Sequence, residues 1–198
     1  GTRARTPVFL MYGGSCWGRN GEHRPAHKIH IYRERTMSIE SVRENLAAKG
    51  LADRILEFEE SSATVAEAAR DLGCEPARIA KTMAFVTGEG PVLVVMAGDA
   101  KVDNPRYKAQ FHCKAAMVKP DALVAAVGHP MGGVCPFAVT EGVPVYLDES
   151  LRRFEVVYPA AGTARSAVRL RVPELEASVD HFAGWINIGK GWGETPEN

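Results

Sequence analysis

The sequence predicts a mixed-sheet α+β domain, and three observations carry that prediction. Strand-like and helix-like segments alternate along residues 38–188 without the strict strand–helix–strand rhythm of a doubly wound sheet. Val92–Ala97 is apolar at every position, as a strand buried on both faces must be, and the Gly88-Glu89-Gly90 turn ties it to Met83–Val86. At 198 residues with 45% apolar positions, the chain has material for one good hydrophobic core and too little for two large ones.

Each element has its own local cause. From Ser38 to Lys49, apolar Ile39, Val42, Leu46 and Ala47 recur at helical spacing, with Ser38 as the cap and Gly50 as the stop. Ile55, Leu56 and Phe58 form a short strand, and a second helix runs from Thr64 to Leu72, closed by Gly73. Glu75–Ala80 reads as a short helical turn leading into the strand Met83–Val86, which puts Lys81 and Thr82 at a helix-to-strand junction. The hairpin made with Val92–Ala97 is the expected centre of the sheet. Asp99–Asn104 is a polar loop, Pro105 opens a helix to Phe111, and Ala115–Val118 is a candidate strand. Pro120 starts a further helix ending at Gly128, and two prolines with an adjacent glycine pair make His129–Phe137 a shaped loop. Val143–Leu147, Phe154–Tyr158 and Val168–Val172 read as strands, Pro173 opens a last helix, and Trp185–Ile188 can close the sheet. The domain is expected over residues 37–190, with a flexible tail at 191–198.

Charge divides the chain in two. Residues 1–36 carry seven Lys/Arg against two Glu, whereas residues 37–198 carry seventeen against twenty-two. The first part has no helical or strand periodicity and is rich in Gly, Arg and His, so a disordered basic arm is expected there: a tag or translated leader ahead of a native start at Met37. The longest apolar runs, Val92–Ala97 and Ala122–Val127, are six residues each, against the ~20 a membrane-spanning helix needs. Cys16, Cys74, Cys113 and Cys135 are widely spaced and form no CxxC pair, which points away from disulfide scaffolds and zinc knuckles and toward a reducing, cytoplasmic setting.

No GxSxG, HExxH, Walker or GxGxxG signature is present, so the common hydrolase, metalloprotease and nucleotide-binding chemistries have no local footprint. Two features remain. Lys81 sits among Ile79, Ala80, Met83, Ala84 and Phe85, an apolar neighbourhood that an unpaired ammonium resists; a cleft with a carbonyl or anionic partner accommodates it, and so does a lysine snorkelling from the start of a strand. The loop Gly132-Gly133-Val134-Cys135-Pro136-Phe137 can bring its backbone close to a ligand and aim several N–H groups at one oxygen, although an ordinary tight turn has the same composition.

Taken in order, Ile79-Ala80-Lys81-Thr82, then Ala97-Gly98-Asp99, then Gly132–Phe137, then Val145-Tyr146-Leu147-Asp148-Glu149-Ser150, and finally Tyr158–Gly162 resemble the YbaK/EbsC family of free-standing editing domains, relatives of the one inserted in bacterial prolyl-tRNA synthetases. The resemblance spans about residues 40–188. It implies a mixed, partly barrel-like β-sheet surrounded by helices, and an activity that deacylates mischarged aminoacyl-tRNA, typically proline tRNA carrying a small wrong amino acid. Lys81 matches the lysine the family needs, Gly132–Pro136 its GxxxP loop (Gly132, Gly133, Val134, Cys135, Pro136), and Phe58 an aromatic residue lining the amino-acid pocket. Thr82, Phe137, Gly162 and Ser166 are the further expected substrate contacts. An aminoacyl ester is already activated, so positioning and oxyanion donors suffice without a strong nucleophile or metal. Lys81 would orient the terminal nucleotide or aminoacyl group, loop amides would hold the carbonyl oxygen, and water or a substrate atom would attack. Where cysteine-clearing members carry a Ser-Gly-Gly turn and then an aspartate, this chain has Ala160-Ala161-Gly162 and Ala167, leaving Ser166 to take over part of that role.

The implied partners are the acceptor end of mischarged tRNA and, to assist recognition, a prolyl-tRNA synthetase; neither membrane nor DNA is expected, and neither cofactor nor metal. Lys101, Arg106, Lys108, Lys114 and Lys119 against the lone Asp103 form the candidate phosphate-contacting patch, the first four being the expected tRNA contacts, with a solvated helix face as the alternative. Tyr107 or Phe111 can stack on a terminal base or belong to the core. Cys135 near backbone donors invites a nucleophile assignment, but only His129 is near enough in sequence to activate it. A metal site from His112, Cys113, His129 and Cys135 matches no zinc spacing. Two other functions fit the same features: a non-catalytic binding module for tRNA or an amino acid, and a small aminoacyl esterase.

Overall fold

The computed structural model of the protein describes residues 38–62 and 64–193. The expected arm at 1–36, the proposed start at Met37 and the tail from 194 onward lie outside the described residues. The first helix, α1, covers residues 38–48. Strand β1 is Ile55–Glu57, helix α2 Val65–Leu72, strand β2 Ile79–Thr87, strand β3 Gly90–Ala97, strand β4 Lys101–Val102 and helix α3 Asn104–Phe111. Helix α4 is Leu123–Val127, β5 Val145–Asp148, β6 Val156–Pro159, β7 Ser166–Val168, β8 Leu170–Arg171, α5 Val172–Ser178, β9 Phe182–Ile186 and β10 Gly189–Lys190. No helix among the described residues is long and apolar enough to cross a membrane.

One six-stranded mixed sheet, in the order β8-β6-β2-β3-β5-β9, is joined by two small ladders, β1 with β7 and β4 with β10. Its centre is the expected hairpin: β2 and β3 pair antiparallel from Ala80 opposite Ala97 to Thr87 opposite Gly90. β5 runs parallel to β3, and β9 parallel to β5. Leu93, Val94, Val95, Met96 and Ala97 are all inaccessible to solvent, as an all-apolar run flanked on both faces requires. Helix α1 docks through Val42 and Leu46, one turn apart on a single face. Asp180 then fixes its far end, accepting from Asn45 Nδ2 at 3.0 Å, Lys49 Nζ at 2.7 Å and the Val139 N–H at 3.1 Å.

Helix starts follow the sequence closely. Thr64 and Glu67 form a reciprocal capping box on α2, and Gly73 ends it in the left-handed conformation at φ 62°. Asp103 caps α3, where Pro105 occupies the first turn and needs no N–H partner. Ser38, expected to cap α1, instead has its hydroxyl engaged by His129.

Further expectations change, among them the strand expected at Val168–Val172, which divides between β7 and β8 and leaves Val172 to open α5. The helical turn before β2 is only Pro76–Arg78, and the strand starts at Ile79, so Lys81 and Thr82 lie inside β2, not at a junction. Ala115–Val118 makes a single bridge, Met117 opposite Phe85, because only the Val86 N–H to Ala116 carbonyl and Val118 N–H to Ala84 carbonyl bonds form. The packed chain also runs past Lys190, where the sequence ended it: Trp192 packs against the core and its ring lies 5.1 Å from the Arg153 guanidinium.

Candidate active site

The site arises from a split edge. On the side of β2 away from β3, β6 pairs only at Ile79 and Ala80, and the 116–118 segment returns at Phe85. Between these contacts Lys81, Thr82 and Met83 have no strand beside them. The groups that reach the 116–118 segment belong to Ala84 and Val86, so strand alternation turns the Thr82 backbone toward the same side, into the gap. The gap opens into a cleft of about 320 Å³. Lys81, Thr82, Gly132 and Val134 all line it, together with apolar groups including Met117 and Ala160.

Lys81 reaches along the hairpin and donates from Nζ to the Gly98 carbonyl at 3.2 Å and to the Ala100 carbonyl. Two of its three N–H groups are thereby engaged, leaving one for the cleft. Burial pushes the Lys81 pKa below the ordinary lysine range; the Asp99 carboxylate opposes that shift and Lys101 adds to it. The ammonium is a partly desolvated cation held by carbonyl dipoles, a state in which interaction with an incoming anion or carbonyl is stronger than in water.

The two glycines of the loop do different work. Gly132 sits at φ 86°, where a side chain is strained. Gly133 has an ordinary φ, but a Cβ there would lie 2.1 Å from the Gly162 carbonyl oxygen. Gly162 in turn sits at φ 92°, and its Cβ would come 2.7 Å from the Ser38 carbonyl oxygen. The loop, the 160–164 turn and the start of α1 are thus stacked backbone on backbone. A side chain at 133 would break this stacking. The Gly133 N–H is also committed, to the Pro130 carbonyl at 3.0 Å. Among the described residues no acceptor takes the N–H of Gly132 or Val134, and both residues line the cleft.

Behind the loop lies a closed polar cluster. His129 is fully buried, with Nδ1 2.7 Å from Ser38 Oγ and Nε2 2.7 Å from the Phe137 carbonyl oxygen. A carbonyl only accepts, so Nε2 carries the proton and Nδ1 accepts from the Ser38 hydroxyl. Cys135 Sγ is 3.5 Å from that same Nε2, and burial pushes its thiol up to about 12. The nitrogen nearest the thiol is therefore already protonated, and the thiol has no path to solvent.

Several expected site residues fall elsewhere. Gly133, Cys135 and Pro136 support the loop from the buried side. Phe137 is wholly inside the core, because its carbonyl must meet His129. Phe58 is half-buried, donating its N–H to the Arg165 carbonyl at 2.7 Å, and does not line the cleft. Ser166 is buried and its hydroxyl is taken by Thr163, at 2.8 Å from Oγ1, so it staples the 160s turn. Gly162 is buried in the stack described above. The Thr82 hydroxyl is sealed from solvent and has no hydrogen-bond partner among the described residues. Tyr107 is a core residue stacked between Phe85 and Phe111. Of the basic residues, Lys108 and Lys114 converge on a surface cleft of about 550 Å³ with Asn104, Pro105 and Ala115. Arg106 is instead tied to Asn187 Oδ1 at 3.1 Å and the Gly189 carbonyl at 2.9 Å, and Lys101 stands in the β4–β10 ladder opposite Lys190. Among the described residues, no group of three or more His, Cys, Asp or Glu side chains is placed to hold a metal ion.

Sequence reasoning missed the rim and the supports. Met117 and Met131, exposed at 60% and 64%, flank the mouth of the cleft. Asp99, Arg153 and Asp180 organise the segments that frame it. Met131 adjoins the glycine pair and was open to inclusion, and Asp99 stands in the Ala97-Gly98-Asp99 segment but was given no role; Arg153 and Asp180 had no local signal, since their partners come from distant elements.

Comparison with known proteins agrees with this fold. The profile of the aminoacyl-tRNA editing domain matches residues 59–177. The uncharacterized protein YwhH of Bacillus subtilis (strain 168) is 42% identical over 158 residues, covering 79% of this chain and 99% of that one. A proline–tRNA ligase of Thermotoga maritima is 29% identical over 90 residues, 45% of this chain and 15% of the ligase. The crystal structure of a candidate trans-editing enzyme for prolyl tRNA synthetase superposes with a TM-score of 0.71 at 28% identity, covering 78% of this chain and 98% of the other. The chain belongs to the aminoacyl-tRNA editing domain family.

Proposed function

We propose that this protein hydrolyses, in trans, the ester bond of mischarged aminoacyl-tRNA, with proline tRNA carrying a small wrong amino acid as its substrate. The observation that carries the proposal is the meeting of Lys81 with Gly132 and Val134 in one cleft. The free N–H of Lys81 orients the aminoacyl end, the Gly132 and Val134 amides receive the developing oxyanion, and the unpaired edge at Thr82 offers a carbonyl to the substrate α-ammonium. Removal of one such oxyanion donor costs roughly 10²–10³ in rate where it has been measured. Water attacks the ester carbonyl, the bond from that carbon to the ribose oxygen breaks, and the proton lost by the water passes to the departing ribose oxygen, releasing free amino acid and tRNA. Lys108 and Lys114 take backbone phosphates of the acceptor strand, and a prolyl-tRNA synthetase supplies any wider tRNA selectivity.

Val65, Ala68, Val118, Leu123, Val134 and Ala160 make the cleft wall largely aliphatic. Such a wall favours an alanyl group over a seryl one only modestly, since an apolar pocket discriminates weakly against an added hydroxyl. The test is deacylation of alanyl-, cysteinyl- and seryl-tRNA on proline tRNA, alongside Lys81→Ala. Alanyl-tRNA should be cleared fastest and Lys81→Ala should be inactive while still folded; activity unchanged in that variant overturns the mechanism. Tight binding of charged tRNA without turnover across the panel would favour a binding module, to which the alanines at 160 and 167 also point.

A further inference from the structure

Among the described residues, the Lys81 ammonium is held by the turn between β3 and β4, and that turn is itself held by Arg153. Arg153 grips Asp99 with two parallel bonds, Nη2 to Oδ1 at 2.6 Å and Nη1 to Oδ2 at 3.0 Å. The guanidinium is fixed in turn: Nε donates to the Ser150 carbonyl at 2.9 Å, and its plane lies 4.6 Å from the Phe154 ring and 5.1 Å from the Trp192 ring. Gly98 is wedged under the 3-10 turn ahead of β2, where a Cβ would lie 2.0 Å from the Pro76 carbonyl oxygen. The Gly98 and Ala100 carbonyls flank the Asp99 peptide, so any movement of Asp99 moves both acceptors of Lys81.

We propose that the Arg153–Asp99 pair is a positioning device for Lys81, fixing the two carbonyls that aim its ammonium into the cleft. The inference rests on the substrate-orienting role assigned to Lys81 above. A bidentate Arg–carboxylate pair, unlike a lysine pair, fixes orientation as well as distance. It is also only partly exposed, at 23% for the arginine and 32% for the aspartate side chain, and so is shielded better than a free surface pair. Lysine is therefore not an adequate substitute at 153. The Asp99 carboxylate additionally favours the charged form of Lys81, against Lys101, which disfavours it.

The test uses the full chain with Asp99→Asn, Arg153→Lys and, as a neighbouring control, Arg152→Lys. Arg152 pairs with Glu149 at 2.9 Å and stacks on Trp185, away from the turn. Two readouts are taken: kcat and KM for hydrolysis of mischarged tRNA, and the pH titration of the Lys81 side-chain carbons by NMR in lysine-labelled protein. Displacement of a positioned group by about 1 Å costs on the order of 10²-fold in rate. Asp99→Asn and Arg153→Lys should accordingly lower kcat at least tenfold and shift the Lys81 resonances, Asp99→Asn also moving their titration to lower pH, while Arg152→Lys changes neither. Unchanged Lys81 resonances and titration in both clamp variants would overturn the proposal. If the wild-type protein deacylates nothing, the NMR arm still decides the positioning claim, so the two failures are distinct.

Discussion

Replacing Gly133 by alanine separates two accounts of the glycine pair. The added Cβ would stand 2.1 Å from the Gly162 oxygen, 2.5 Å from its carbonyl carbon and 3.0 Å from the Thr163 nitrogen, all backbone atoms. Ordinary contact begins near 3.4 Å, so the loop and the 160–164 turn must part by more than 1 Å. Neither can swing aside cheaply, because Gly162 is pressed on its other side against Ser38. Overpacking of this kind costs about 1–3 kcal/mol, which in a domain of this size lowers the melting temperature by roughly 3–10 °C. The same displacement moves the Gly132 and Val134 amides, so hydrolysis of mischarged tRNA should fall by about 10²-fold. Gly88→Ala is the matched control: a Cβ at Gly88 meets nothing within 4 Å, and that variant should melt with the wild type. A Gly133→Ala protein that melts normally refutes the stacking argument. If it melts normally but loses activity, the glycine is there to admit a ligand after all.

Three further outcomes are expected. Burial lowers the His129 pKa, against the Phe137 carbonyl bond and the Asp180 charge, which raise it; the folded state therefore takes up this proton less readily than the unfolded chain. Stability from this group is complete above about pH 6.5 and declines below it, so denaturant melts should weaken between pH 7.5 and 5.5, and His129→Gln should flatten that slope. Thr82→Val removes a buried hydroxyl that has no partner among the described residues and should raise stability by about 1 kcal/mol, read as a higher melting temperature; a drop would mean that the hydroxyl is satisfied in solution. Lys108→Ala and Lys114→Ala should each weaken tRNA binding regardless of sequence and reduce the log–log salt slope by about 1, whereas equal slopes in a salt titration would take these lysines off the phosphate path.

Elements with a local cause were legible. The all-apolar Val92–Ala97, the helix from about Thr64 to Leu72 closed by Gly73 and the Pro105 helix start all appear where pattern and stop residues place them. Lys81 was legible as a residue out of keeping with its neighbours. Its setting was not, because the stretch from Ile79 carries helix-compatible residues whose strand state is decided by pairing with Ala97 and Met96 and, through β6, with Pro159. The expected strand at Ala115–Val118 failed for a related reason: only Met117 finds a partner, and its isolation is what leaves the gap. Phe137 and Ser166 were assigned to substrate by position in a motif, yet each has a polar group claimed by a neighbour from the same motif, His129 and Thr163. Sequence order could not distinguish residues that build the site from residues that meet its ligand.

The buried cluster behind the loop also bears on what kind of chemistry the site can perform. For Cys135 to act as a nucleophile, His129 would have to present an unprotonated nitrogen to it. The Phe137 carbonyl forbids that at Nε2, and turning the ring over would aim Nδ1 at the thiol only by surrendering the Ser38 bond. Leaving those buried polar groups unpaired costs on the order of 1–3 kcal/mol each, before the cost of creating a buried thiolate from a group pushed up to about 12. The cluster is a brace that joins α1 to the loop. With the cysteine committed there, the polar residues lining the cleft among the described residues are Lys81, Thr82, Ser62 and Thr64 together with the backbone of the Gly132–Val134 loop, and the Ser62 and Thr64 hydroxyls are engaged by Asp71 Oδ2 at 2.6 Å and by the Glu67 N–H at 3.2 Å. An ester as reactive as an aminoacyl-tRNA is a substrate on which such groups suffice, whereas an amide or a phosphodiester would demand an activated nucleophile. The ester substrate proposed above is the one whose chemistry asks least of such groups.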